Sequence, residues 1–417
     1  MKFIVIGISD HPQPFFSPDV AEIIRQGKVF SGGRRHHHIV AKFLPIGAEW
    51  IDISVPLDAV FEKYACAFPK DRAEQASLIV FASGDPLFFG FANTIKRKMP
   101  HAEILLYPTF NSLQTLAHRL LLPYHDMRVV SLTGRPWPEF DRALIERVSK
   151  IGVLTDREHS PQAIARRMLA YGYSQYIMSV GEHLGNPDQE KITTLSLLEA
   201  TEVEFAQPNC LILHAKPDGM KLARNSHSAR FGIPDDQFAL LHGREKMITK
   251  MPIRLLTLQA LDLPRRQVLW DIGFCTGSIS IEARLQFPHL HIEAFEIRPE
   301  GRELMHVNSQ RFGAPGIGVH IGDFLDADIS ELPRPDAVFI GGHGGRLKAI
   351  IGRVLTILSE GGCIVMNSVS AQSRQLWQVA CDDFGLQQEA PMRIALNDYN
   401  PITILKVVKH ENSHHTD

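Results

Sequence analysis

WDIGFCTGSISIE, residues 270–282, decides how the second half of this 417-residue chain is read. The apolar run VLWDI has strand length and stops at Gly273, and a helical pattern resumes beyond Gly277 with SISIEARL. Glycine at such a turn permits positive φ and close approach of backbone to a ligand, and the helix start behind it offers unpaired N–H groups. Gly273, Phe274, Cys275, Thr276 and Gly277 are therefore candidate contacts to a nucleotide-like ligand. Cys275 occupies the place of a middle glycine, which its small side chain allows if its φ is negative. Nineteen residues past Gly277, Glu296 stands at the end of the next strand, HIEAFE, where a carboxylate can accept from both ribose hydroxyls. Gly322 and Asp323 follow the strand IGVHI, where folds of this kind place a contact to the adenine.

The dinucleotide fingerprint G-x-G-x-x-G is not met, because the run reads G-F-C-T-G-S with Asp271 ahead of it. An acid at that point repels a pyrophosphate but suits a ligand with a positive sulfonium and an amino acid tail. S-adenosylmethionine (SAM) is favoured over NAD.

Outward from this turn the sequence divides in two. Strand-length apolar runs KFIVIG, SLIVFASG, MRVVSLTG, IGVLTD and NCLILHA alternate with helical patterns through residues 1–215, which predicts an α/β domain with largely parallel strands. Residues 216–231 are polar, glycine-bearing and without periodicity, and read as a linker. A second alternation fills 232–410, where MRIALND and PITILKVVK flank NDYNP as an antiparallel hairpin closing the sheet; 411–417 is a tail.

With 44 Lys+Arg against 46 Asp+Glu, the formal charge of −2 does not favour a nucleic-acid partner. The five cysteines are widely spaced, with no C-x-x-C pair, and read as reduced, buried thiols of a cytoplasmic protein. Neither a membrane span nor a cleavable signal is expected, since no apolar run is long enough and MKFIVIGISDH runs directly into a strand.

In the first half, FASGDPLFFG sets Ser83, Gly84, Asp85 and Pro86 in a loop between strand and helix, where ligands bind in such sheets; a capped turn is the plain alternative. Asn111 and Ser112 open the helix SLQTLAHRL and serve equally as N-cap residues. In GGRRHHH, three adjacent histidines cannot all point one way on a helix, so no metal site is expected. Arg34 and Arg35 are better read as attracting a substrate rich in carboxylates.

Several ordered motifs carry a family resemblance. FGIPDDQF, MITKMPIR, LWDIGFCTGSISIEA, DAVFIGGHGG and GGCIVMNSV resemble the C-terminal domain of the precorrin-6Y methyltransferases (decarboxylating) of cobalamin biosynthesis. IVIGISD, SGGRRHHH, FASGDPLFFG, PTFNSLQTLAHRL, VVSLTGR and VLTDREHSP are similar to the companion tetrapyrrole methylase domain. The resemblance implies a two-lobed class III methyltransferase domain followed by a Rossmann-like, seven-stranded class I domain, each with a SAM site, and a homo-oligomer. It implies C-methylation of precorrin-6Y at meso carbon 5 by the first domain, and methylation at carbon 15 with loss of the ring C acetate carboxylate by the second, giving precorrin-8X. It makes Ser83, Gly84, Asp85, Asn111, Ser112 and Thr249 donor contacts. Lys250 and Arg254 are candidates for substrate carboxylates, and His343, in GGHGG, is a weak candidate for proton transfer.

Two other functions stay open on the residues alone. A methyltransferase of RNA or protein is disfavoured by the lack of a basic tract beyond 34–38 and by GGHGG standing where N-P-P-Y or D-P-P-Y would. A donor-binding sensor is kept open by Cys275, Ser9 and Thr109 at positions usually held by glycine.

Overall fold

The computed structural model describes residues 1–67, 77–216, 231–244, 247–397 and 400–409. Most of the expected linker, the 411–417 tail, and Asp398 and Tyr399 of the hairpin turn lie outside the described residues. The chain divides into two compact units: one of Met1–Arg135, Ser149–Arg166 and Tyr176–Ala215, the other of Pro136–Val148, Arg167–Gln175 and Lys216–Asp417.

The first unit holds two five-stranded sheets. One runs in the order β3 (Glu49–Asp52), β2 (Val29–Gly32), β4 (Ser77–Ser83), β1 (Lys2–Ile8), β5 (Glu103–Tyr107), and every pairing is parallel. Its central strands are buried on both faces, Phe3, Val5, Leu78 and Val80 on one and Ile4, Ile6, Ile79 and Phe81 on the other. That is why β1 and β4 read as unbroken apolar runs. The other sheet runs β6 (Arg128–Ser131), β7 (Lys150–Leu154), β10 (Asn209–Ala215), β8 (Tyr176–Glu182), β9 (Lys191–Ser196). Only β6 and β7 pair in parallel; β10 is antiparallel to β7 and β8, and β9 to β8. The expectation of largely parallel strands therefore fails for this lobe.

The second unit carries a seven-stranded sheet: β13 (Ile317–Ile321), β12 (His291–Glu296), β11 (Val268–Ile272), β14 (Ala337–Ile340), β15 (Cys363–Ser368), β17 (Ile402–Val408), β16 (Met392–Ile394). The first five are parallel, and the β16–β17 hairpin adds on antiparallel to β15, as the sequence suggests. Alternate residues of β11 serve opposite faces: Leu269 packs with Ile279 and Ala283 of helix Ser278–Gln286, and Trp270 with Leu347 and Ile351 of helix Leu347–Ile357. The strand order reverses between β11 and β14, which opens a crevice at their carboxyl ends. No helix among the described residues is long and apolar enough to cross a membrane. Cys66 is exposed and Cys275 half-buried, so the reading of all five thiols as buried holds only for Cys210, Cys363 and Cys381.

Candidate functional site

In the second unit the turn after β11 is built by backbone bonds to its neighbours. Gly273 and Phe274 N–H both donate to the Phe295 carbonyl of β12, at 2.8 and 3.2 Å. Gly341 N–H of the GGHGG loop donates to Ile272 O at 2.8 Å, and Gly322 N–H to Glu296 O at 2.9 Å. Asp271, the glycine turn, Glu296, Gly322 and the His343 loop thereby meet at one end of the sheet. Gly273 and Gly277 have φ of +79° and +74°. Phe274 packs inward with Ile233, Phe238, Ile248 and Met305, which brings the segment carrying Thr249 beside the turn.

Cys275 has φ +54°, not the negative value expected of it, so the turn imposes a left-handed backbone on a residue with a Cβ. Burial pushes its thiol pKa up, which suits a filler and not a nucleophile. Cys275→Gly is expected to leave the fold intact and raise unfolding free energy by about 1 kcal/mol, read by chemical denaturation, because the strain goes with the Cβ.

Asp271 is fully buried, and its Oδ2 accepts from Ser280 Oγ at 2.5 Å. Burial raises its pKa to about 7. Its Oδ1 and the Thr276 hydroxyl are buried without partners among the described residues, and such orphaned groups beside a glycine cradle fit a polar, positively charged ligand. Glu296 is also buried, but its carboxylate is engaged. Oε2 accepts Cys275 N–H at 2.8 Å and Arg298 Nη2 at 2.8 Å, and Oε1 accepts Arg298 Nε at 2.8 Å and Arg298 N–H at 3.1 Å. Burial opposes its charge, yet the Arg298 guanidinium and the two backbone donors outweigh burial and hold its pKa below the usual range. A ribose diol would have to share or displace this guanidinium. Arg298 was invisible to sequence reasoning, although it stands only two residues past the acid.

Asp323 accepts Leu325 N–H at 3.0 Å and pairs with Arg346 at 2.5 Å, which ties the β13 loop to the β14 loop. His343 is half-buried; its Nδ1 accepts Gly345 N–H at 3.1 Å, and burial lowers its pKa, so the ring is neutral with its proton on Nε2. Lys250 is the N-cap of helix Met251–Ala260. Arg254 corrects the reading as a substrate contact: its side chain is 0% exposed, with Nε 3.2 Å from Glu282 and Nη1 3.3 Å from Asp235 and 3.0 Å from Thr249 O. It staples the domain's entry segment from within.

In the first unit, four carboxyl-end loops of the parallel sheet line a cavity of about 500 Å³, within the range of small-molecule sites. Its walls include Ser9 and Asp10 after β1, Arg35 and His36 after β2, Ser83 at the end of β4 with Gly84 behind it, and Asn111 and Ser112 after β5. The loops interlock at Gly84, which has φ +58°; an added Cβ would lie 2.8 Å from Asn111 Cα and 3.1 Å from Phe110 O. Asp85 accepts Leu87 N–H at 2.8 Å, and Asn111 is a true N-cap, accepting Gln114 N–H at 2.9 Å. Both plain structural readings therefore describe these side chains, which leaves the backbone of the loops to face a ligand.

The arginine pair is split. Arg35 lines the cavity and contacts Asp10 at 3.3 Å, whereas Arg34 is exposed and is not part of the lining. The three histidines diverge: His36 turns to Ser83, His37 stacks on Trp50 at 4.1 Å, and His38 is exposed. Asp10 and His36, both within quoted motifs, are cavity residues that sequence reasoning left without a role.

These folds and sites define a methyltransferase with two modules, a tetrapyrrole methylase unit and a class I unit, that uses SAM as methyl donor. Residues 16–199 match the family of tetrapyrrole (corrin/porphyrin) methylases, and residues 241–411 match the precorrin methyltransferase domain. The chain is 30% identical over 368 residues to a precorrin-6Y C(5,15)-methyltransferase [decarboxylating] of Sinorhizobium sp., covering 88% of this chain and 84% of that protein. It is also 35% identical to a cobalt-precorrin-6B C(15)-methyltransferase (decarboxylating) of Salmonella typhi (41% of this chain, 94% of that one), and 27% identical to a cobalt-precorrin-7 C(5)-methyltransferase of Salmonella typhimurium (43% and 84%). The chain belongs to the precorrin-6Y C(5,15)-methyltransferase (decarboxylating) family of cobalamin biosynthesis.

Proposed function

We propose that this chain methylates precorrin-6Y twice and removes one carboxylate, with two independent SAM sites: residues 1–215 act at meso carbon 5, and residues 232–410 at carbon 15 with decarboxylation of the ring C acetate. The observation that carries this reading is the occurrence in one chain of two separate glycine-turn constellations at the carboxyl ends of parallel strands, around Gly84 and around Gly273. Relatives that carry the C(5) or the C(15) activity alone, each similar to less than half of this chain, support the division of labour. The aromatic lining of the first cavity, with Phe89 45% and Phe110 60% exposed, suits a flat macrocycle, and Arg35 suits its carboxylates.

The donor supplies an electrophilic methyl group. A reduced tetrapyrrole has enamine-like meso carbons, so the carbon–carbon bond forms as the sulfur–carbon bond breaks, and a proton is lost. Decarboxylation breaks the acetate C–C bond, releases carbon dioxide and leaves the electron pair in the conjugated ring, and a proton taken up at the methylene carbon then completes the methyl group. The protein's part is alignment and exclusion of water. Gly273 to Gly277 and Glu296 would hold the donor of the second unit; Gly84, Asp85 and the Asn111 loop would hold that of the first. His343, beside the Gly273 turn, is the candidate to take up the proton, on Nδ1 once the bond from Gly345 N–H is released. A substrate among RNA or proteins has no comparable support.

Donor binding in the second unit should depend on pH. Asp271 has its pKa raised to about 7 in the folded protein, and a sulfonium or ammonium nearby favours its carboxylate form. Affinity for SAM is therefore expected to rise as pH passes from 6 to 8 and to flatten in Asp271→Asn, read by calorimetry. The stability term runs the other way: a raised carboxyl pKa stabilises the fold below the unfolded value, and that contribution is lost as pH climbs towards 7. Mass spectrometry of precorrin-6Y incubated with SAM and the full chain tests the function: gain of two methyls with loss of one carbon dioxide is expected, and an unchanged mass with bound donor would refute it.

A further inference from the structure

Ser83 ends β4 at the rim of the first unit's cavity, and its hydroxyl oxygen meets two nitrogen groups. Arg35 Nη2 donates to Ser83 Oγ at 3.0 Å, and His36 Nε2 lies 2.9 Å from the same atom. The far side of the imidazole decides which partner donates. His36 is the third residue of helix Arg34–Val40, and the N–H of its N-cap, Gly33, donates back to His36 Nδ1 at 3.3 Å. A neutral ring whose Nδ1 accepts carries its proton on Nε2. Burial, with the Arg35 cation beside it, lowers the His36 pKa to about 4, which keeps the ring neutral at physiological pH. Ser83 Oγ therefore receives two N–H bonds that fill both its lone pairs, and its own O–H is left to donate. That hydroxyl is exposed and lines the cavity with Arg35.

We propose that His36 is a positioning residue that locks Ser83 as a hydroxyl donor, so that Ser83 and Arg35 together bind a carboxylate of the tetrapyrrole at the cavity rim. The chemistry fits that group: a carboxylate accepts a guanidinium N–H and an O–H side by side, and repels neither. Asp10 holds the guanidinium from its other side through Arg35 Nη1 at 3.3 Å and has its second oxygen 3.6 Å from His183 Nδ1. Nη2 is thereby directed at Ser83. The exposed rings of Phe89 and Phe110 belong to the same lining and offer an apolar surface to the macrocycle that bears the carboxylate. This inference rests on the reading that the first unit works on the tetrapyrrole.

Full-length Ser83→Ala, His36→Leu and His36→Gln chains test it by initial rates of methylation at carbon 5 against precorrin-6Y concentration, with S-adenosylhomocysteine affinity measured by calorimetry. Loss of a hydrogen bond to a charged group is expected to raise KM for precorrin-6Y roughly tenfold in Ser83→Ala and His36→Leu, with kcat and S-adenosylhomocysteine affinity near wild type. His36→Gln, whose amide N–H reaches the same oxygen, is expected to stay near the wild-type KM. An unchanged KM in His36→Leu, equal damage from Gln and Leu, or a loss confined to S-adenosylhomocysteine affinity would each overturn the proposal. Equilibrium binding of precorrin-6Y to the same chains, with S-adenosylhomocysteine present, separates the two readings. The same pattern in binding, without methylation at carbon 5, would remove the functional assignment and leave the carboxylate site standing.

Discussion

Gly273→Ala is expected to cut the yield of decarboxylated product by at least roughly 10²-fold. Gly273 has φ +79°, and a Cβ there would stand 2.6 Å from Gly342 N and 2.9 Å from both Gly342 Cα and O. These are backbone atoms, so no side-chain rotation relieves the contact. The left-handed conformation adds about 1–2 kcal/mol for a residue with a Cβ. The chain can relax only by pushing the GGHGG loop away from the β11 turn or by rotating the turn itself. Either movement displaces the cradle from Glu296 and His343, and a misplacement of about 1 Å suffices for a loss of this size. Product mass analysis reads it, together with donor affinity by calorimetry. Full activity in Gly273→Ala would mean that methyl transfer at carbon 15 does not use this turn.

Arg254→Ala should destabilise the second unit by about 3–5 kcal/mol, because it leaves a carboxylate buried without its cation. Glu282 is fully buried; it accepts Gly232 N–H at 2.9 Å and Ile233 N–H at 3.0 Å, and pairs with Arg254 Nε at 3.2 Å. Arg254 also bonds the Ile233 carbonyl and pairs with Asp235. One ion pair thus ties the entry segment of the domain and the helix Met251–Ala260 to the helix that begins at Ser278. Chemical denaturation followed by the second unit's fluorescence reads the effect. Arg254→Met combined with Glu282→Gln is expected to lose less than Arg254→Ala, since the one carboxylate left without Arg254, Asp235, is part-exposed and no fully buried charge is unpaired. A variant that unfolds as wild type does, but binds precorrin-6Y weakly, would restore Arg254 to the substrate.

What could be read from the sequence is what is carried locally. Strands β1, β4 and β14 are buried on both faces and print as apolar runs, while β9 lies at a sheet edge and its half-exposed, mixed sequence KITTLS carries no such signal. The antiparallel run of β7, β10, β8 and β9 was hidden because strand direction depends on where each connection crosses, not on the composition of the strand. The glycine turns and Glu296 were legible since a strand end, a glycine and a helix start are neighbours in sequence. Side-chain pairings were not. Arg254 and Glu282 are 28 residues apart, and His36 and Ser83 are 47 apart. Whether Arg254 faces substrate or core is decided by packing that no spacing rule contains. Cys275 failed in another way: the bonds from Gly273, Phe274 and Cys275 to β12 fix the turn, and the backbone takes positive φ despite the Cβ.

Two methyl-transfer sites in one chain are tested most directly by complementation between two full-length variants, Gly84→Ala, disabled in the first unit, and Gly273→Ala, disabled in the second. Each is incubated alone and in equal mixture with precorrin-6Y and SAM, and the product masses are recorded. Neither variant alone should give the doubly methylated, decarboxylated product, and the mixture should restore it. A mixture no better than either variant alone would contradict two separable sites.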